Sequence, residues 1–270
     1  ADQQRKSVPV CPGILQHIIC SFDVRTLCNQ LFYVRKRKMR LLMIIPAYNE
    51  AKNIKRVVYS VQETYPEYDY IVVNDGSKDN TAQICKQNRF NFLDLPINLG
   101  LSGGIQAGMK YAYQYGYDAV IQIDGDGQHQ ASYIEKLVDC MEETHADIVI
   151  GSRFKEIKKK KSLRMFGSEI IRFLIKWTTH QNITDPTSGM RIYNRKVMKA
   201  YTTEMNFNPE PDTISYLIKC GAKVVEAQVQ MSEREGGESY LNWKNSIIYM
   251  VKVCFSILVI QMFRKRKELE

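Results

Sequence analysis

From Met39 onward, short and wholly apolar runs alternate with longer stretches in which apolar residues recur every three or four positions. Leu41 to Pro46 (LLMIIP) is apolar throughout, as a strand buried on both faces must be. A polar turn and a helical pattern over Ala51 to Thr64 follow. Then come the strand-like Tyr70 to Val73, a turn at Asp75-Gly76-Ser77 and a second helix from Asn80. Phe92-Leu93 reads as a short strand, and the glycine-rich turn Asn98 to Gly104 leads into a third helix. Ala119 to Ile123 is a further apolar strand that runs straight into Asp124-Gly125-Asp126-Gly127-Gln128. Strands and helices alternating at this spacing predict βαβ units, hence an α/β fold with a mostly parallel sheet. Ligands of such sheets bind beyond the carboxyl ends of the strands, and the polar clusters of this chain fall there.

Three segments depart from this rhythm. Residues 1–38 join a polar start to a mixed stretch and the basic run Arg35 to Lys38. They do not read as a secretory signal, because the uncharged run Ser7 to Phe22 contains Pro9, Pro12 and Gly13 and lacks a clear cleavage pattern. Residues 163–177 place Leu163, Phe166, Ile170, Phe173, Leu174 and Trp177 at helical spacing, with Arg164, Ser168, Arg172 and Lys176 down another face. A basic amphipathic helix of this kind suits a lipid interface, and the cationic stretch Lys155 to Lys161 precedes it. A helix packed on the sheet with a solvated basic face is the alternative. Ser246 to Phe263 carries one charge, Lys252, and is followed by Arg264 to Lys267. At eighteen residues it is near the lower limit for a span. The polar repeat Asn245, Tyr249, Lys252 and Ser256 favours an in-plane anchor, or a helix beside a small membrane-protein partner, with the basic end cytoplasmic. The expected organisation is an extension over 1–38, a main domain over 39–240 and a membrane-associated helix with a basic tail over 241–270.

Composition narrows the function. With 44% hydrophobic and 25% charged residues among 270, disorder and collagen-like structure are excluded. The balance of 38 Lys+Arg against 29 Asp+Glu gives +9 and calls for an anionic partner: nucleic acid, anionic lipid or a phosphorylated substrate. The basic runs carry little interleaved aromatic pattern and no nucleic-acid-binding motif, so nucleic acid is not expected. Seven cysteines show no metal-ligand spacing and read as reduced thiols.

The sharpest chemical signal is Asp124-Gly125-Asp126, two carboxylates at a strand end that can face one hard cation. Mg²⁺ or Mn²⁺ so held would bridge a diphosphate, with Gln128 as a third oxygen ligand and His129 beside it; an acidic surface turn is the plainer reading. Asp75 can accept hydrogen bonds from a nucleobase or ribose, or serve as an Asx-turn residue. Pro46 to Glu50 can place backbone groups and Glu50 over a nucleoside, or start a helix with Asn49 as its cap. Asn98 to Gly104 matches neither GxGxxG nor GxxxxGK[ST], which weakens dinucleotide-binding and P-loop readings. Asp185 to Arg191 is a polar turn before the strand-like Arg191 to Tyr193. Ser232 to Ser239 carries Arg234 and suits a lid over a diphosphate, or simply an exposed loop.

Seven blocks in order, PAYNE (46–50), NDGSKDNT (74–81), NLGLSGG (98–104), DGDGQH (124–129), DIVIGSRF (147–154), DPTSGMRIY (185–193) and EREGGES (233–239), make the sequence resemble a family 2 glycosyltransferase of the GT-A fold. The likeness runs from about Met39 to Tyr240 and is to the dolichyl- or polyprenyl-phosphate sugar synthases. It implies that Pro46, Tyr48, Glu50 and Asp75 line the nucleoside site and that Asp124, Asp126 and Gln128 hold the divalent metal. It further implies that Arg153 approaches the phosphates of donor or acceptor and that Asp185 lies near the reacting centre as base or acceptor-positioning carboxylate. Arg234 and Ser239 would belong to a closing loop. Where the family often has a lysine after the loop serine, this chain has Tyr240, unless Lys244 replaces that cation. The implied reaction is inverting transfer of a sugar from a UDP- or GDP-sugar to a lipid phosphate at the cytoplasmic face of a membrane. Transfer to a glycan or glycolipid hydroxyl in cell-envelope polysaccharide synthesis is the alternative, and would require Asp185 as a true base. A sugar-phosphate nucleotidylyltransferase fits less well, since no glycine-rich signature with a catalytic lysine or arginine follows the first strand.

Overall fold

A computed structural model describes residues 39–123, 133–155, 163–203, 207, 209–229, 243–260, 263, 264 and 269, with the side chains of 163–166 and 243–247 outside the description. The chain divides between Met39 and Arg40, and every described element belongs to the second part. The element order is β1 (Leu41–Ala47), α1 (Ile54–Thr64), β2 (Asp69–Asp75), α2 (Thr81–Gln87), β3 (Phe92–Leu95), α3 (Gly100–Gln114), β4 (Ala119–Gln122), α4 (Ile134–Thr144) and β5 (Ile148–Ser152). It continues with α5 (Leu163–Thr179), β6 (Arg191–Asn194), α6 (Arg195–Thr203), α7 (Pro211–Lys219), β7 (Val224–Gln228) and α8 (Trp243–Phe255), which runs into a π-helical turn at Ser256–Ile260.

The seven strands form one sheet in the order β3-β2-β1-β4-β6-β5-β7. All neighbours are parallel except β6, which runs antiparallel to both β4 and β5. That one reversal decides the site. The carboxyl ends of β1, β2, β4, β5 and β7 share one edge, and the reversal delivers the residues that precede β6 to that same edge. Leu41 to Ile45 are at most 1% exposed, which explains why β1 is apolar without alternation. Helix α3 lies close on the sheet because Gly108 leaves room for Ile44; a Cβ there would sit 2.8 Å from two of its carbons.

The glycine-rich block is shorter as a turn than the sequence implies, since α3 already begins at Gly100. The two membrane-type segments also pack differently from their hydropathy pattern. On α5, Ser168, expected on the polar face, is buried together with Ile171 and Ile175, while Ile170, Phe173 and Trp177 are exposed. The helix therefore has apolar residues on two faces, and only one of them meets the core. On α8 and its extension, Val253 and Ile257 join the core that contains Ile171, Ile175 and Ile214. Two members of the polar repeat turn inward, Ser256 fully and Tyr249 in part, while Lys252 stays exposed: Ser256 Oγ donates to Asp212 Oδ2 of α7 at 2.6 Å. Burial, reinforced by Glu210, raises the Tyr249 phenol well above its ordinary value. Ile248, Val251, Phe255 and Ile260 stay exposed. No described helix is long and apolar enough to cross a membrane.

Candidate active site

The loops after β1 and β2 are knitted together by side chains from the two blocks that close those strands. Asn49 adopts a left-handed backbone (φ 57°). Its N–H donates to Ser77 Oγ at 2.9 Å and its Oδ1 accepts the Lys78 N–H at 2.8 Å. Glu50 N–H donates to Thr81 Oγ1 at 3.0 Å, and Ala51 N–H to Asp79 Oδ2 at 3.0 Å. Burial would raise the Asp79 carboxyl, but its hydrogen bonds from Thr81 and Ala51 outweigh that and hold it below its ordinary value. Asn49 is thus a loop tie and not a helix cap; Asn53 occupies the cap position of α1. The Glu50 carboxylate is held by Asn53 Nδ2 at 2.9 Å. Pro46 is half-buried at the end of β1, and Tyr48 beside it is 40% exposed.

Asp75, at the end of β2, is 4% exposed. Its Oδ1 accepts the Leu99 N–H at 2.7 Å, and its carbonyl accepts from Asn98 Nδ2 at 3.1 Å. Oδ2 receives no hydrogen bond from a described residue, so one carboxylate oxygen is left for a ligand. The contact requires glycine at position 76: φ is +62°, and a Cβ would lie 2.6 Å from the backbone of both Ile97 and Asn98. The NLGLSGG block therefore acts as a brace for Asp75 before it becomes helix α3.

On the other half of the edge, the residue that follows β5 is Arg153, and the turn before β6 supplies Asp185. The pair is bidentate: Nε to Oδ2 at 2.7 Å and Nη2 to Oδ1 at 2.8 Å, with the Arg153 N–H adding a third bond to Oδ2 at 3.1 Å. Asp185 is fully buried, whereas the Arg153 side chain is 29% exposed. Burial alone would depress the guanidinium, but the Asp185 carboxylate outweighs it and keeps Arg153 above its ordinary value. Arg153 Nη1 donates to no described residue, which leaves two N–H donors at the exposed end of the side chain. Beneath the pair, the Glu226 carboxylate of β7 accepts the N–H groups of Thr184 and Asp185 at 2.8–2.9 Å. Gln228 Nε2 donates to the Arg153 carbonyl at 3.0 Å. Arg191 is 2% exposed and donates to the carbonyls of Pro186, Ser188 and Pro209, each at 2.8 Å, so it folds the 185–191 turn from inside.

The fold thus brings Pro46, Tyr48, Glu50, Asp75, Arg153 and Asp185 to one sheet edge, and it joins the last two directly. Strand β4, which precedes the paired aspartates in the sequence, reaches the same edge, where Ile123 N–H donates to the Ile44 carbonyl at 3.0 Å. Asp124, Asp126, Gln128, His129, Arg234, Ser239 and Tyr240 lie outside the described residues. Among the described residues, no cluster of His, Cys, Asp or Glu is arranged to hold a metal ion. Sequence reading passed over Glu226, Gln228 and Arg191. A charge inside the short strand VVEAQ was the available signal for Glu226. Arg191, as the first residue of a strand, offered none.

The model of the family described as "Glycosyl transferase family 2" matches residues 43–202, more than half of the chain. An undecaprenyl-phosphate mannosyltransferase of Micrococcus luteus is 28% identical over 76% of this chain and 88% of its own. A UDP-N-acetylglucosamine–dolichyl-phosphate N-acetylglucosaminyltransferase of Methanococcus voltae is 32% identical over 61% of this chain and 73% of its own. Among solved structures, glucosyl-3-phosphoglycerate synthase of Mycobacterium tuberculosis, in complex with Mn²⁺ and UDP, superposes with a TM-score of 0.61 at 15% identity. It covers 84% of this chain and 81% of its own, and so shares the fold. A seven-stranded GT-A sheet and the family match over residues 43–202 together place this chain in glycosyl transferase family 2, as a glycosyltransferase.

Proposed function

We propose that this enzyme moves a sugar, with inversion, from a UDP- or GDP-sugar to a polyprenyl phosphate at the cytoplasmic surface of a membrane. The observation that carries the acceptor class is the state of Asp185. Both of its oxygens are engaged, chiefly by Arg153, and the group is fully buried. A carboxylate so committed is a poor general base, which a hydroxyl acceptor would need. A lipid phosphate is already ionised near neutral pH and needs none. The named activities of the polyprenyl- and dolichyl-phosphate relatives support the same acceptor.

In this reading Asp75 Oδ2 accepts from the nucleoside, with Pro46, Tyr48 and the knitted loop at Glu50 forming the adjoining wall. Arg153 turns its Nη1 donors to a phosphate, and Asp185 holds it in place. Arg234 and Ser239, outside the described residues, would serve the diphosphate as the family resemblance implies. Asp124, Asp126 and Gln128 are an all-oxygen donor set suited to Mg²⁺ or Mn²⁺, which when bound offsets charge on the departing diphosphate. An acceptor phosphate oxygen attacks the anomeric carbon in line. The new C–O bond forms as the bond to the donor phosphate breaks, and the electron pair leaves with the nucleoside diphosphate.

The adjoining helices α5 and α8 supply the membrane contact. Phe173, Trp177, Ile248, Val251 and Phe255 are each more than half exposed, and basic residues flank them, an arrangement suited to the headgroup boundary. A small membrane protein seated on the same face is compatible with this geometry. The test is a transfer screen in detergent with UDP- and GDP-sugars, Mg²⁺ or Mn²⁺, and undecaprenyl or dolichyl phosphate present or absent. Nucleoside diphosphate release that requires both metal and lipid phosphate is the expected result. Release indifferent to lipid phosphate would overturn the acceptor assignment and point to a glycan hydroxyl.

A further inference from the structure

We infer that Glu226 is a positioning residue for the guanidinium of Arg153, acting through the Thr184–Asp185 backbone; this rests on reading Arg153 as a phosphate ligand. Glu226 is 8% exposed in a strand whose neighbours Val224 and Ala227 are buried. A carboxylate in such a place is unfavourable unless it is fully hydrogen-bonded. Its oxygens take the Thr184 N–H at 2.8 and 2.9 Å and the Asp185 N–H at 2.8 Å. These two consecutive peptide groups belong to a turn, outside the sheet ladder, so the carboxylate replaces the backbone partner they would otherwise lack.

The consequence passes along the chain of contacts. With its own N–H anchored on β7, Asp185 projects both oxygens onto Arg153. Two residues further along β7, and so on the same face of the strand, Gln228 Nε2 holds the Arg153 carbonyl. Glu226 and Gln228 thus support the two halves of the salt bridge from one strand face. Hydroxyl contacts fasten the turn to β5 as well, Ser152 to Thr184 at 2.8 Å and Ser188 Oγ to the Gly151 carbonyl. Glu226 is the charged member of that support. It forms no ion pair with a described residue, and its charge is met by peptide N–H groups. Its service is that of an acceptor aimed at two N–H groups, which an amide oxygen can partly perform.

The experiment compares Glu226→Ala, Glu226→Gln, Arg153→Ala and the double variant Glu226→Ala/Arg153→Ala in the full chain. It reads kcat/KM for transfer to polyprenyl phosphate and, independently of activity, the solvent exchange of the Arg153 Nε–H in ¹⁵N-arginine-labelled protein. Misplacement of a binding group by an ångström can cost about 100-fold, and that is the loss expected for Glu226→Ala, with Glu226→Gln retaining about a tenth of wild-type activity. The double variant should be no worse than Arg153→Ala alone, and the Nε–H of Arg153 should exchange faster in Glu226→Ala than in Glu226→Gln. Multiplicative losses in the double variant, or an Arg153 Nε–H unaffected by Glu226→Ala, would overturn the inference. If Glu226→Ala does not fold, the same comparison uses Glu226→Gln alone and combined with Arg153→Ala. Wild-type protein that transfers no sugar to lipid phosphate would sink the proposed function, while the exchange measurement would still decide the role of Glu226.

Discussion

Replacing Asp185 by asparagine removes one negative charge and one of two acceptor oxygens from a fully buried position. In the wild type those oxygens accept from Arg153 Nε at 2.7 Å, Nη2 at 2.8 Å and the Arg153 N–H at 3.1 Å, and from the Thr187 hydroxyl at 3.3 Å. Removing one partner of a buried ion pair costs about 3–5 kcal/mol. Two features reduce that figure here. The Arg153 side chain is 29% exposed and can recover water, and asparagine keeps one acceptor. We therefore expect a loss of about 2 kcal/mol, within the range of a hydrogen bond to a charged group. In a domain of this size that lowers Tm by about 4–8 °C. Activity should fall by about 10- to 100-fold, the effect of a loosened Arg153, and stay measurable. Asp126→Ala, which removes a carboxylate of the metal set, should abolish transfer. The assay is nucleoside diphosphate release at saturating lipid phosphate, with thermal unfolding run in parallel. An Asp185→Asn protein that folds with the expected Tm but shows no activity would return Asp185 to the role of base. A Tm equal to wild type would refute the bidentate geometry itself.

Other expectations follow from single contacts. Gly76→Ala forces a left-handed alanine, at about 1–2 kcal/mol, and drives its Cβ into the Ile97–Asn98 backbone; a large fall in Tm and a raised donor KM are expected, and near-wild-type values would refute the Asp75 brace. Burial, reinforced by Asp212 against the opposing pull of Lys252 and Arg191, raises Glu210 from its ordinary 4.5. The folded state then holds that proton more tightly than the unfolded chain, so stability falls as pH rises from about 4.5 through the raised value. Glu210→Gln removes the penalty, and its Tm relative to wild type should climb as pH rises above about 4.5; a constant offset would contradict it. Replacing Phe173, Trp177 and Phe255 together by serine should lower co-sedimentation with anionic vesicles by about 100-fold, with Tm little changed because all three are exposed. Unaltered vesicle binding would remove α5 and α8 from the membrane contact.

Local pattern was enough for much of this fold. Strands buried on both faces leave wholly apolar runs, so β1 and β4 were legible, and the blocks that follow them were assigned to the carboxyl edge. Residue chemistry also singled out Asp75, and the family resemblance pointed to Arg153 and Asp185. What the chain did not reveal was partnership. Nothing in Arg191 to Tyr193 says that this strand enters between β4 and β5 in reverse, yet that reversal seats Asp185 against Arg153. Glu226 offered no more than a charge within a short strand, because its partners are backbone N–H groups some forty residues earlier. The periodicity of 163–177 showed amphipathic character but not which face meets the core. Ile171 and Ile175 face inward, while Phe173 and Trp177, equally apolar, remain outside. Hydropathy along a chain records how each residue interacts with water. Which surfaces then meet, and so which polar groups are left facing a ligand, is decided by contacts distant in sequence that only the tertiary structure contains.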